Sequence, residues 1–237
     1  VHGPSRRFRH LRTRALHGLD LARLLAETPS DDIHVWLPAA GAATAAPSAS
    51  AADAAASSPA GAESFSTPSP SAAMSCFRAG ASLYFRAPDA AADLLVTALT
   101  QQLGLSFGAL YPDGAPRSEV ETFASRKGRV TGWHFDFMHN FTLQLAGTKR
   151  WELYPGHVVN PTRGCTPQWS TDDDNSRDAA EQQAKCRATL SAGGSFAMRP
   201  PDEALNGGAQ TVELHPGDVL YTPAGMWPRG ARVADAL

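Results

Sequence analysis

Apolar and polar positions change rhythm several times along this chain, and each rhythm predicts a different kind of element. Asp20 precedes Leu21, Leu24 and Leu25, the spacing of one face of a short helix with an acidic residue at its start. Ile33, Val35 and Leu37 then alternate as a strand does, and Pro38 ends the run. From Ala39 to about Ala73 the sequence reduces to Ala, Ser, Pro and Gly. Such a composition cannot bury enough apolar area to offset its ordering entropy, so it reads as a disordered insertion. Density returns near Phe77. Ser82 to Phe85 read as a strand, and Asp89 opens a helix in which Leu95, Leu99 and Leu103 recur at four-residue spacing before Gly104 stops it.

Beyond Gly104, short alternating runs separated by turn residues signal an antiparallel β region. Val120 to Phe123 is one expected strand, Ser125 to Gly128 a turn, and Arg129 to Asp136 the next strand. Phe141, Leu143 and Leu145 alternate with Thr142 and Gln144; Ala146-Gly147 turns the chain, and Trp151 and Leu153 continue the alternation on the return, which reads as a hairpin. Tyr154 to Gln210 is mostly polar, with the acidic run Asp172, Asp173, Asp174 and a helix expected from Ala179 to Leu190, and reads as a surface excursion. Val212, Leu214, the turn Pro216-Gly217-Asp218 and Val219 to Tyr221 restore the strand pattern, whereas Arg229 to Leu237 show no strand alternation. The expected division is a basic, helical arm over 1–38, the insertion over 39–75 and a β domain over 76–237, the last incomplete after 227.

With 237 residues, 43% of them hydrophobic and 19% charged, the chain can bury one sizeable core. A formal net charge of −2 gives no overall field toward nucleic acid or an anionic membrane, so partners must be argued locally. The local exception is Arg6, Arg7, Arg9, Arg12 and Arg14, which read as an exposed helix start, with a basic address, an RNA-touching arm or a transit-like segment left open. Cys76, Cys165 and Cys186 are odd in number and irregular in spacing, which suits a reducing compartment: an intracellular protein, in nucleus or cytoplasm, with an organelle left open. No apolar run approaches the roughly 18 residues that a spanning helix needs, no signal-peptide core stands near the start, and no membrane partner is expected.

His134 and Asp136 lie two apart on an expected strand, so both side chains leave the same face. An imidazole and a carboxylate side by side can take two adjacent corners of a metal, and a second histidine from a distant strand would complete the two-histidine, one-carboxylate face of non-heme iron(II). A histidine hydrogen-bonded to an ordinary strand-end aspartate is the plainer alternative. The surrounding text is Thr131-Gly132-Trp133-His134-Phe135-Asp136, then Asn140, then Gly147-Thr148-Lys149-Arg150-Trp151, and later Pro216-Gly217-Asp218-Val219-Leu220-Tyr221-Thr222-Pro223. These blocks resemble the JmjC family of Fe(II)/2-oxoglutarate-dependent oxygenases, within the cupin fold. The similarity runs from about Phe77 to Trp227 and extends to the ribosomal-protein histidyl hydroxylases and the asparaginyl hydroxylase of hypoxia-inducible factor.

The resemblance implies a double-stranded β-helix, the jelly roll of the cupins, with a helical N-terminal portion. It implies His134 and Asp136 as catalytic iron ligands and Lys149 as the partner of the distal carboxylate of 2-oxoglutarate. A lysine on the strand paired to the ligand strand could point into the same cavity and make a charge-assisted bond there; a solvated hairpin lysine is the alternative. Thr131 and Asn140 match positions that hold the cosubstrate by hydrogen bonds. Trp133, Phe135 and Phe141 read as apolar surround or plain core, Arg150 as surface and Trp151 as core. The implied reaction consumes O2 and 2-oxoglutarate, releases succinate and CO2, and oxidises a C–H bond of a protein substrate, ribosomal or chromatin.

The family's second histidine belongs directly behind Trp227, where this chain has Pro228. Proline has no donor atom and removes a backbone N–H. The expectation is therefore a site two-thirds present, in a sequence that leaves the family at Trp227 through a frameshift, an alternative exon or a mistaken gene model. His139, His157 and His215 are the nearby substitutes; His139, an odd number of positions from His134, should face away in an unbroken strand. The leading reading is a protein hydroxylase, impaired in this copy. A histone lysine demethylase is the enzymatic alternative, a non-catalytic cupin-fold binding module the non-enzymatic one, and a metal-dependent isomerase or sugar-binding cupin ranks last.

Overall fold

Asp20 caps the first helix as its spacing predicts, its carboxylate accepting from the Arg23 N–H at 2.8 Å, and α1 (Leu21–Ala26) buries Leu24 and Leu25. The computed structural model describes residues 20–37, 64–104, 109–110, 116–117, 120–136, 138–156 and 202–234, and divides into two compact units that part after Arg126.

The first unit is an antiparallel sheet with α2 (Pro70–Arg78) packed on it and α1 against α2. β1 (Ile33–Trp36), β2 (Ser64–Thr67), β3 (Ser82–Arg86) and, further on, β6 (Glu121–Ala124) hydrogen-bond in the order β2-β1-β3-β6. Alternation sends Ile33, Val35, Leu83 and Phe85 into the core, while His34, Trp36, Tyr84 and Phe123 form a chain of ring contacts on the other face. α2 packs on β1 and β3. α3 (Asp89–Leu103) ends at Gly104 in the left-handed conformation, as the sequence predicts. Between α3 and β6 lie two minimal strands, β4 (Ala109–Leu110) and β5 (Pro116–Arg117), paired with each other.

Two boundaries differ from the sequence reading. β1 is no separate arm, since it sits between β2 and β3. β2 and the start of α2 fall inside the stretch expected to be disordered: Ser69 accepts from the Ala72 N–H at 3.2 Å and Pro70 holds the first helical position, so local capping defines a helix start where bulk composition suggested none. Residues 1–19 and 38–63, with the arginine run, lie outside the described residues, as do the acidic run and the helix expected at 179–190.

The second unit weaves between two antiparallel sheets. β7 (Val130–Thr131) belongs to one, β8 (Asn140–Leu143) to the other, β9 (Thr148–Tyr154) and β10 (Gln210–Leu214) return to the first, β11 (Val219–Thr222) joins the second, and β12 (Trp227–Ala234) closes on the first. The orders are β10-β9-β12-β7 and β11-β8. Trp151, Leu153 and Leu214 from the larger sheet pack with Leu220 of β11 and with Met226. On the outer side of the larger sheet Trp227, Trp133 and Phe135 pack with Tyr154 and with Ala204 of an irregular helical turn, Ala204–Gly208. The mainly β, antiparallel architecture expected from the sequence is thus present.

The expected hairpin is not a hairpin. β8 pairs with β11, and β9 pairs with β10 and β12, so the Ala146-Gly147 turn carries the chain from one sheet to the other. Nor does strand structure end at Trp227: β12 runs eight residues between β9 and β7, and its backbone pairing overrides a side-chain sequence with no alternation. Its entry depends on a close approach of two glycines. A side chain at Gly156 would collide with the backbone carbonyl of Gly225, and neither backbone can give way. Gly156→Ala is therefore expected to destabilise by about 1–3 kcal/mol, the range of overpacking, read as a fall in the thermal midpoint.

Candidate functional site

His134 follows β7 on a segment held by its backbone to the turn that leads into β12. The His134 N–H donates to the Pro228 carbonyl at 3.2 Å, and the Asp136 carbonyl accepts from the Gly225 N–H at 2.9 Å. Trp133 and Phe135 turn into the outer cluster around Trp227, which sends His134 and Asp136 to the opposite side. His134 Nε2 and Asp136 Oδ2 stand 4.0 Å apart.

Each of the pair is oriented by a neighbour. His134 Nδ1 lies 2.8 Å from the Gly132 carbonyl, which can only accept, so Nδ1 carries a proton and Nε2 is the ring nitrogen turned toward Asp136. Asn140 Nδ2 donates to Asp136 Oδ2 at 2.6 Å. Asn140, which the resemblance expects to hold the cosubstrate, thus also orients the Asp136 carboxylate. Neither His134 nor Asp136 is deeply buried, with side-chain exposures of 18% and 41%.

Lys149 and Trp151 share the inward face of β9, and the Lys149 ammonium sits 4.3 Å from the centre of the Trp151 ring. β9 is not paired to the ligand strand; β12 lies between them, in the row Thr131, Gly230, Trp151 across β7, β12 and β9. Thr131 is solvent-exposed at the end of β7 and lies in the same row as the Lys149 seat. Phe141 packs outward on Tyr221 and not around the pair. Arg150 pairs with Glu213 at 2.9 Å on the surface, as expected.

The chemistry of the donor set fits two corners of a metal. Ligands about 2.1 Å from a metal on adjacent octahedral corners lie about 3 Å apart, within a small rotation of the 4.0 Å found. The third corner does not fit. Pro228 pairs with Leu153, so its ring projects on the Trp151 and Lys149 face with no donor atom to offer. His139 hydrogen-bonds the Tyr221 hydroxyl at 2.7 Å and stacks on its ring, although no unbroken strand joins it to His134. His215 engages Thr148 at the far turn, and His157 lies outside the described residues. Among the described residues no three metal-binding side chains converge.

Two residues of the site escape a reading by residue type. Trp151 is legible only through its two-residue offset from Lys149. Gly230 carries no sequence signal, because what matters is the space above its α-carbon.

Comparison with known proteins bears on the fold. A search of curated proteins gave no match. Among solved structures, the X-ray structure of E. coli ycfD matches over 91% of this chain and 42% of that one, at 18% identity and a TM-score of 0.43, so the chain spans less than half the length of that protein. The family model for the cupin-like domain matches residues 63–229, which takes in both motif blocks, begins at β2 and continues past Trp227. The chain belongs to the cupin-like domain family, the JmjC/cupin family that its two motif blocks resemble.

Proposed function

We propose that this chain is an Fe(II)/2-oxoglutarate-dependent oxygenase of the protein-hydroxylase kind, with His134 and Asp136 as metal ligands and a third position vacated by Pro228. The observation that carries the reading is the prepared state of the pair. A histidine with Nδ1 committed to the Gly132 carbonyl and a carboxylate held by Asn140 form the oriented couple that outer partners build around a metal. Iron with 2-oxoglutarate and O2 supplies C–H oxidation in this family; the chain's own contribution is the orientation of the pair and the Lys149 cation. Lys149 is the residue proposed for the distal carboxylate, and Thr131 borders it. A ribosomal or chromatin protein would be the substrate, inside the cell; among the described residues no helix is long and apolar enough to cross a membrane.

A second reading has an observation in its favour. Pro228 and the lack of a third converging ligand among the described residues fit a cupin-fold binding module that kept the pocket and lost the metal. Lysine demethylation would use the same two ligands, and only the product separates it from hydroxylation.

Anaerobic titration of the chain with Mn(II) and Fe(II), beside His134→Ala and Asp136→Ala, tests the proposal. Weak but measurable binding is expected for the chain, lost in both variants. Binding that neither substitution changes would sink the metal-site reading and leave the non-catalytic module in front.

A further inference from the structure

Lys149 reaches its place only because position 230 has no side chain. Gly230 lies opposite Trp151 on β12, and the end of Lys149 crosses the space above it. A Cβ built on Gly230 would stand 2.6 Å from Lys149 Cε, 3.2 Å from its Nζ and 3.4 Å from Trp151 Cε3. The first of these is closer than real carbon atoms come. The ammonium thus occupies a slot whose floor is the Gly230 α-carbon and whose wall is the Trp151 indole, with the ring centre 4.3 Å away. The indole N–H of Trp151 is itself buried and finds no hydrogen-bond partner among the described residues.

We infer that Gly230 and Trp151 are positioning residues that seat the Lys149 ammonium in advance for the carboxylate of 2-oxoglutarate. The inference rests on the oxygenase reading above. Lysine has a long, rotamer-rich side chain, and ordering it at the moment of binding costs affinity; a lysine already laid against an aromatic face avoids that cost. A cation–π contact suits the task, because it fixes where the charge sits while a carboxylate remains the stronger partner.

Gly230→Ala isolates the effect. The backbone at 230 needs no left-handed conformation, and the atom displaced is the far end of a flexible side chain, so the variant folds while Lys149 leaves the ring. Two readouts apply. In proton NMR the ε-methylene of Lys149, lying over the indole, resonates upfield of ordinary lysines, and Gly230→Ala returns it toward the common position. In calorimetric titration with 2-oxoglutarate in the presence of Mn(II), run on the chain and on its Pro228→His form, Gly230→Ala raises the dissociation constant about tenfold, the scale of one charge-assisted hydrogen bond. The Gly230→Ala, Lys149→Ala double variant binds no more weakly than Lys149→Ala alone, since both act through one cation.

An unshifted ε-methylene in the parent chain overturns the seat. If Lys149→Ala weakens binding and Gly230→Ala does not, the seat has no role in binding and the inference fails while the oxygenase reading stands. If Lys149→Ala changes nothing, or neither form binds 2-oxoglutarate, the cosubstrate reading fails and the inference falls with it.

Discussion

Trp227→Ala is expected to cost about 3–5 kcal/mol of stability and to remove metal binding at His134 with it. Trp227 is fully buried and is the largest of the fully buried side chains among the described residues. Its ring meets Phe135 edge to face with centroids 5.2 Å apart, and Trp133, Tyr154 and Ala204 complete the cluster. Truncation leaves a void among aromatic side chains anchored on different strands, which cannot collapse together. Against a total stability of roughly 5–15 kcal/mol this is a large fraction. The site is involved because the same cluster fixes which way His134 faces: Trp133 and Phe135 hold one side of the segment, and the Pro228 carbonyl next to Trp227 holds the His134 amide. Trp227→Phe serves as the contrast. It keeps most of the ring volume and removes an indole N–H that finds no partner among the described residues, so its cost should be well below that of the alanine. Urea denaturation of the three proteins decides the matter. A Trp227→Ala midpoint equal to that of the parent would show that the outer cluster does not support this unit.

What the sequence disclosed about this fold followed from strong local signals. Asp20 before Leu21, Leu24 and Leu25, the four-residue spacing up to Leu103 with Gly104 behind it, and the alternation at Ile33 and Val35 all became the elements their spacing predicts, because each apolar stripe has one period and a clear stop. Failures came where pairing, not side-chain pattern, makes the structure. The runs Asn140–Leu143 and Thr148–Tyr154 look like hairpin partners because a two-residue turn joins them, yet they lie in different sheets, and nothing in either run names its hydrogen-bonding neighbour. β12 was illegible for a related reason. As an inner strand it is stabilised by β9 and β7 on its two edges, so Pro228, Gly230 and Ala231 can stand where alternation would otherwise be needed. α2 was hidden by averaging, its cap at Ser69 submerged in alanine and serine.

The site was legible to the extent that it depends on residue type. His134 and Asp136 fall together, whereas His139 sits on Tyr221 beyond a break in the strand. Roles that depend on a partner's position were not legible. Asn140 holds Asp136 because β8 begins beside the ligand segment, and Gly230 matters only because β12 brings it against Lys149.

Pro228→His is the second large effect: metal affinity should rise more than about 100-fold. Loss of an outer partner of a ligand alone costs 10–100-fold, so gain of an inner donor should exceed that scale. Geometry supports the direction. Residue 228 pairs with Leu153, so its side chain leaves β12 on the face of Leu153, Trp151 and Lys149, the face opposite Trp227. His134 and Asp136 leave their segment opposite Trp133 and Phe135, which pack on Trp227, so the new imidazole enters the space the pair already faces. The backbone bond from His134 to the carbonyl of residue 228 brings the two positions to hydrogen-bonding distance, 3.2 Å. Loss of the proline ring relaxes the unfolded chain by under about 1 kcal/mol, which leaves the fold intact. The check is anaerobic: Mn(II) affinity first, then Fe(II) with 2-oxoglutarate, where the variant should develop the weak visible charge-transfer band and the parent should not. Unchanged affinity in the variant, with His134→Ala still abolishing binding, would mean that residue 228 does not face the metal and that the third corner belongs elsewhere. A parent chain that binds as tightly as its variant would mean that another group already completes the site, and the non-catalytic reading would lose its one favourable observation.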